Sequence, residues 1–259
     1  MAKRVIAGRR AIVTGASGGI GRQIALELAR HGADLVLVAR RQEPLTQVAE
    51  EITQLGGRAE AVVGDITTHA TRKAAIARAV EKLGGLDILV NNAGVGAMGP
   101  FESADPDRLR RIMEVNFFAL AETTRAALLL LKQGNQPIVV NLGSILGHVA
   151  LPTMTEYSAS KFAVRGFSDA LRAELSSQGV DVLLVSPGTT KSDFFDHLIE
   201  DQGGTSWRGR KAADPAKVAQ QVVRAMERGK REIIPGGKLI YYLNRLAPSL
   251  VQWGLARRN

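Results

Sequence analysis

The chain has 259 residues, 45% of them hydrophobic and 23% charged, enough to bury the core of one large α/β domain or two small ones. It has no cysteine, which excludes disulfides and thiolate metal sites, and its four histidines (His31, His69, His148, His197) lack the spacing of metal ligands. The net charge of +9 gathers at one end, since the stretch from Gln202 onward holds 12 Lys and Arg against three acids, Asp214, Glu227 and Glu232. Such a surface suits an anionic membrane face, an acidic or phosphorylated substrate or nucleic acid, or is simply solvated.

The first ten residues, MAKRVIAGRR, lack the apolar run of a secretory signal. The best candidate for a span, Leu239 to Ala256, carries Arg245 and Pro248 and falls short of the ~20 apolar residues required. A reducing, cytoplasmic setting agrees with both and with the missing cysteines. No Pro-, Gly- or Ser-rich linker and no repeat divides the sequence, so a single domain over 1–259 is expected.

In chain order, Ala11 to Val13 is a short apolar run leading into the glycine-rich stretch TGASGGIG, Thr14 to Gly21. Ile20, Ile24, Ala25 and Leu28 then recur at helical spacing until Gly32. Asp34 to Val38 reads as a second strand, Leu45 to Leu55 as a helix closed by Gly56-Gly57, and Ala59 to Val63 as a third strand before Asp65. The unit repeats with a helix over Thr71 to Leu83, a strand over Asp87 to Val90, a long helix over Pro106 to Lys132 and a strand over Pro137 to Leu142. A helix through Tyr157 toward Ser177 and a strand over Val180 to Ser186, ending at Pro187-Gly188, complete the pattern. Continuous apolar strands alternating with helices predict an α/β, doubly wound parallel sheet, Rossmann-like, covered by helices on both faces.

In such sheets ligands bind beyond the carboxyl ends of the strands, and Gly15, Arg40, Asp65, Asn92, Ser144 and Pro187 all follow predicted strands. Gly15, Gly19 and Gly21 meet the needs of a pyrophosphate-binding turn: a tight bend, close backbone approach and close helix–strand contact. The second strand ends Val38-Ala39-Arg40-Arg41, with no acid for a ribose 2′-hydroxyl, and a basic residue there suits the 2′-phosphate of NADP. Tyr157 and Lys161, four apart on a helix, share one face, so the ammonium lies within reach of the phenol and would favour its ionised form. That pairing serves general acid–base chemistry on a hydroxyl or carbonyl.

These motifs together resemble the short-chain dehydrogenase/reductase family, from about Ala11 to Ser192. The likeness rests on TGASGGIG, Asp65, NNAG at Asn91 to Gly94, Asn116, Ser144, YSASK from Tyr157 to Lys161, and Pro187-Gly188. It implies an NADP(H)-dependent oxidoreductase interconverting a carbonyl and an alcohol. In it Tyr157 exchanges the proton, Ser144 hydrogen-bonds the same oxygen, Lys161 binds the nicotinamide ribose and lowers the tyrosine pKa, and Asn116 holds a water linking the lysine to solvent. It also implies a cofactor lined by Gly15, Ser17, Gly19, Ile20, Gly21, Arg40, Arg41, Asp65, Ile66, Asn92, Ala93, Gly94, Tyr157, Lys161, Pro187, Gly188 and Ser192, and no metal. A non-catalytic NADP-binding scaffold or sensor is the alternative, and the intact set Asn116, Ser144, Tyr157 and Lys161 argues against it.

The stretch 189–213, with Phe194, Phe195, Leu198, Ile199 and Trp207 among Gly203, Gly204 and Gly209, is where relatives carry a mobile substrate lid. Together with Ile145, Leu146, Val149 and Leu151 it suggests a small, lipophilic substrate rather than nucleic acid. The resemblance further implies a homodimer or homotetramer paired through the helices after Pro106 and after Tyr157, where Ala163, Gly166, Ala170 and Ala173 permit close approach. The 238–259 extension is basic and amphipathic: Tyr241, Tyr242, Leu246, Leu250 and Trp253 form an apolar stripe expected to pack on the core or a subunit, or else to lie on a membrane.

Overall fold

The computed structural model describes residues 3–191, 193–202 and 212–257. Seven parallel strands stand in the order β3-β2-β1-β4-β5-β6-β7: β1 Arg10–Thr14, β2 Asp34–Ala39, β3 Ala59–Val63, β4 Ile88–Asn91, β5 Ile138–Leu142, β6 Asp181–Val185 and β7 Glu232–Ile233. The last of these, two residues long, was not expected from sequence. Side chains alternate across the pleat, so Val13, Leu35 and Leu37 face one layer while Ile12, Val36 and Val38 face the other. The first layer contains α1 (Gly19–Arg30), α2 (Gln42–Gln54) and α7 (Pro215–Glu227), through Ile24, Val48 and Val222 among others. The second contains α3 (His69–Arg78), α5 (Ala119–Lys132) and α6 (Thr155–Leu175), through Ala75, Leu131 and Leu171.

Chain direction across the sheet reverses between β1, which continues to β2, and its other neighbour β4. That switch point opens a crevice at the carboxyl ends of the strands. The expected long helix over Pro106 to Lys132 is interrupted: α4 (Arg108–Met113) passes through a π-helical turn, Glu114–Phe118, into α5. Asn116 sits inside that turn, as π-bulges often do at functional sites. Beyond β7, the amphipathic C-terminal extension forms two helices, α8 (Lys238–Leu246) and α9 (Pro248–Ala256), because Pro248 cannot continue the first helix and instead starts the second.

Candidate active site

The glycine turn is shaped by its neighbours. Gly15 and Gly19 hold φ of 65° and 53°, the left-handed region that a residue without Cβ enters freely. Asn92 Nδ2 donates to the carbonyls of Thr14 (3.0 Å) and Gly15 (3.1 Å), and Thr14 Oγ1 accepts the N–H groups of Asn92 (3.0 Å) and Ala93 (3.1 Å). The turns after β1 and β4 are thus joined to each other. Gly21 lies behind the cavity rather than in its wall, and a Cβ there would run into the Asn92 amide and the Gly15 carbonyl. The caps of α3 and α7 are side chains, Thr68 and Asp214, whereas α1 begins at Gly18 with no side-chain cap. Its first N–H groups therefore stand beside the cavity without a side-chain partner, ready for an anion.

Ser144, Tyr157 and Lys161 line the same cavity, which measures about 360 Å³. Ser144 Oγ accepts from Leu146 N–H (3.1 Å), which orients the hydroxyl and leaves its proton to donate. Lys161 is buried, donates from Nζ to the Leu142 carbonyl (2.9 Å), and sits 5.6 Å from the centre of the Tyr157 ring. Burial brings its pKa down to about 8. Burial also pushes the Tyr157 phenol up to about 12, with Ser144 pulling the other way. The expectation that Lys161 sets a lowered tyrosine pKa is therefore corrected for the cofactor-free protein. Desolvation penalises both charged forms, and it outweighs whatever the neighbouring ammonium contributes.

Asn116 also lies behind the wall. Its Nδ2 donates to the Val95 carbonyl (3.0 Å) and Ser160 Oγ (2.9 Å), and its Oδ1 accepts from Val95 N–H (2.8 Å). Only a second Oδ1 lone pair remains for a water. Its visible task is to fix the loop that follows Gly94.

Of the other expected positions, Gly15, Ser17, Gly19, Ile20, Arg40, Arg41, Asp65, Ile66, Asn92, Ala93, Gly94, Pro187 and Gly188 line the cavity. Arg40 is exposed at its rim with Nη1 4.0 Å from Asp65 Oδ2, and Arg41 Nη1 lies 3.4 Å from His197 Nε2. Ser192, Trp207 and the glycines at 203, 204 and 209 lie outside the described residues. The far end is apolar: Ile145, Leu146, Leu151, Met154, Phe194 and Phe195, the ring of Phe194 5.5 Å from that of Tyr157. Val149 is buried elsewhere. Donors for a pyrophosphate, polar groups for two riboses and a Tyr–Lys–Ser set in one continuous cavity fit a dinucleotide.

Two groups were missed from sequence. Thr189 and Thr190, directly after Pro187-Gly188, stand in the wall. Fully buried Arg108 holds Glu156, the residue before Tyr157, through Nε (2.9 Å) and Nη2 (2.7 Å), and Glu200, in the segment after β6, through Nη1 (3.1 Å). That segment pairs with the loop after Gly94, since Met98 N–H donates to Glu200 O and Gln202 N–H to Met98 O, each at 2.9 Å. Arg108 therefore ties the segment around Glu200 to the helix that carries the tyrosine. His148, which sequence marks only as lacking metal-ligand spacing, sits in a network of its own. It is buried, with Nε2 2.8 Å from Glu232 Oε1 and 3.1 Å from Ser186 Oγ, and the Tyr241 ring meets it edge-on at 5.0 Å. Burial alone would raise the Glu232 pKa, yet His148, with Ser186 and Arg165, holds it below the usual carboxylate range. Among the described residues no cluster of three potential metal ligands occurs.

A parallel sheet reversing at β1/β4, with an uncapped helix end and a tyrosine–lysine pair at that crevice, defines a dinucleotide-dependent oxidoreductase of Rossmann type. Residues 9–203 match the short chain dehydrogenase family. The chain is 32% identical to "Dehydrogenase/reductase SDR family member 7B" of Bos taurus, over 92% of this chain and 78% of that one. Among solved structures, it is similar to a short chain dehydrogenase from Burkholderia cenocepacia in complex with NADP (31% identity, TM-score 0.80, covering 90% of this chain and 98% of that one). A short chain dehydrogenase/reductase from Burkholderia phymatum in complex with NAD shares the fold (23% identity, TM-score 0.86, 99% and 97% covered). The chain belongs to the short-chain dehydrogenase/reductase family.

Proposed function

We propose that the protein is an NADP(H)-dependent enzyme interconverting a lipophilic ketone or aldehyde with its alcohol. The observation that carries this reading is the single cavity in which Ser144, Tyr157 and Lys161 lie between the glycine turn and an apolar wall. The nicotinamide supplies or accepts hydride when bound. The residues do the rest. With its phenol held protonated by burial, Tyr157 donates its proton to the substrate oxygen in the reducing direction. The Ser144 hydroxyl, oriented by Leu146 N–H, donates to the same oxygen as negative charge develops. Lys161, still largely charged at neutral pH, favours the phenolate that remains and offers N–H donors to a ribose. Asn116 keeps the loop after Gly94 in place, with one lone pair left to hold a water toward the lysine.

Arg40, with Arg41 beside it, supports NADP over NAD because both stand at the rim near the glycine turn and no acid ends β2. A homo-oligomer is supported by exposed Phe118 and Leu129 near and on α5 and Phe162 on α6, faces that solvent alone would not favour. Quenching titrations test the cofactor: NADPH should bind about tenfold or more tighter than NADH, and Arg40→Ala should erase most of the difference, since charge-assisted phosphate contacts are strong. A clear NADH preference would refute the Arg40 argument. Tyr157→Phe should abolish reduction of an apolar ketone panel while sparing NADPH binding, and unchanged turnover would dismiss the mechanism.

A further inference from the structure

An amphipathic helix ordinarily turns its apolar stripe inward. Helix α8 does the reverse. Leu239, Tyr242, Leu243 and Leu246, at i, i+3, i+4 and i+7, all face solvent, with Leu239 77% and Leu246 83% exposed. The inward side presents Ile240, Tyr241 and Asn244: Asn244 Nδ2 donates to the His148 carbonyl at 3.0 Å, and Tyr241 lies against the His148 ring. On α9 the apolar stripe continues through Leu250 and Trp253, also exposed. Around it stand exposed Lys238, Arg245 and Arg257, the last over the Trp253 ring at 3.9 Å. The sequence after Glu232 contains no acid at all.

From this we infer that α8 and α9 form a docking face for an anionic membrane surface. Leucines, a tyrosine and a tryptophan on one side, with lysine and arginine flanking them, are what an interfacial helix needs: apolar area for the acyl boundary and cations for the headgroups. Charge complementarity decides against a second copy of the chain. A two-fold contact would set the basic residues of this face against the same face of the partner, and the sequence after Glu232 offers no acid there to neutralise them. An anionic bilayer satisfies both the stripe and the cations. No helix among the described residues is long and apolar enough to cross a membrane, so the contact is peripheral.

The face also adjoins the site. Leu255 of α9 packs against the apolar cluster of Met98, Leu146, Leu151, Met154 and Tyr157. Docking therefore brings the apolar end of the cavity beside the lipid. That substrate would arrive from the lipid rests on the lipophilic reading above, whereas docking itself does not.

The full-length protein is sedimented with phosphatidylcholine vesicles and with vesicles containing phosphatidylglycerol, at low and high salt. It should bind the anionic vesicles, release as salt rises, and show a blue-shifted tryptophan emission that Trp253→Phe removes. Leu239→Glu with Leu246→Glu, at positions too exposed to be needed for folding, should lower binding about tenfold or more, as loss of two buried leucines implies. Cofactor binding by this variant should be unchanged, which separates lost docking from lost folding. Failure to bind anionic vesicles at low salt, or binding indifferent to the double substitution, overturns the proposal. So does concentration-dependent self-association that the same substitution abolishes without any vesicle binding, which would give the face to a second copy. Vesicle binding is read without turnover, so it stands or falls apart from the substrate reading.

Discussion

The buried Lys161 should make the cofactor-free enzyme less stable than it could be, and Lys161→Met measures by how much. Its pKa of about 8, against an ordinary 10.5, means that holding the ammonium in the folded site costs about 3 kcal/mol at neutral pH, at ~1.4 kcal/mol per pK unit. Methionine fills similar space without charge but forfeits the 2.9 Å bond to the Leu142 carbonyl, a loss of about 1 kcal/mol. The variant should therefore gain about 2 kcal/mol, a rise in Tm of roughly 4–8 °C for a domain of this size. The pH dependence carries a separate signature. Between pH about 8 and 10 the unfolded chain keeps the proton that folded Lys161 has released, so wild-type stability rises with pH relative to the variant. Above pH 10 Tyr157 acts the other way in both proteins. Its folded pKa is about 12, so the unfolded chain ionises first and stability falls. Urea denaturation of cofactor-free protein across pH about 7 to 11 reads both effects. A variant less stable than wild type at pH 7, or a difference that does not shrink as pH climbs past 8, would refute the reasoning.

Removing Arg108 should have the opposite sign. Arg108→Met strands Glu156 in a buried site and should cost about 3–5 kcal/mol, with a corresponding fall in Tm. Arg108→Met with Glu156→Leu should recover most of the loss. A double variant no more stable than Arg108→Met alone would argue that the stranded charge is not the cause. Gly21→Ala, whose methyl meets Asn92 and Gly15, must push the two joined turns apart. It should destabilise by about 1–3 kcal/mol, as overpacking does, and weaken dinucleotide binding at least as much as it weakens folding. NADPH titration beside thermal unfolding checks it.

What sequence revealed and what it hid follow from the range over which each feature is decided. The glycine turn, the buried strands and the Tyr157–Lys161 pair are local, set by spacing within a few residues, and each stands where its pattern placed it. The Arg108 ties join residues 48 and 92 positions apart, and nothing near Arg108 distinguishes it from the exposed arginines around it. The tyrosine pKa failed for a related reason: helical spacing places a cation near the phenol, but how far water has been removed depends on the whole cavity.

Helix α8 shows the same limit in another form. Periodicity declares an amphipathic helix and is silent on which face the protein needs. Here the need comes from far away in the chain. The His148 carbonyl, four residues after Ser144, takes an N–H from Asn244, and the Tyr241 ring closes over the imidazole that Glu232 and Ser186 hold. The side of α8 that bears Tyr241 and Asn244 therefore turns inward to these partners, and the apolar stripe is left outside. The loop carrying Ser144 thus orients the docking face. A change at His148 should disturb vesicle binding and the placement of Ser144 together.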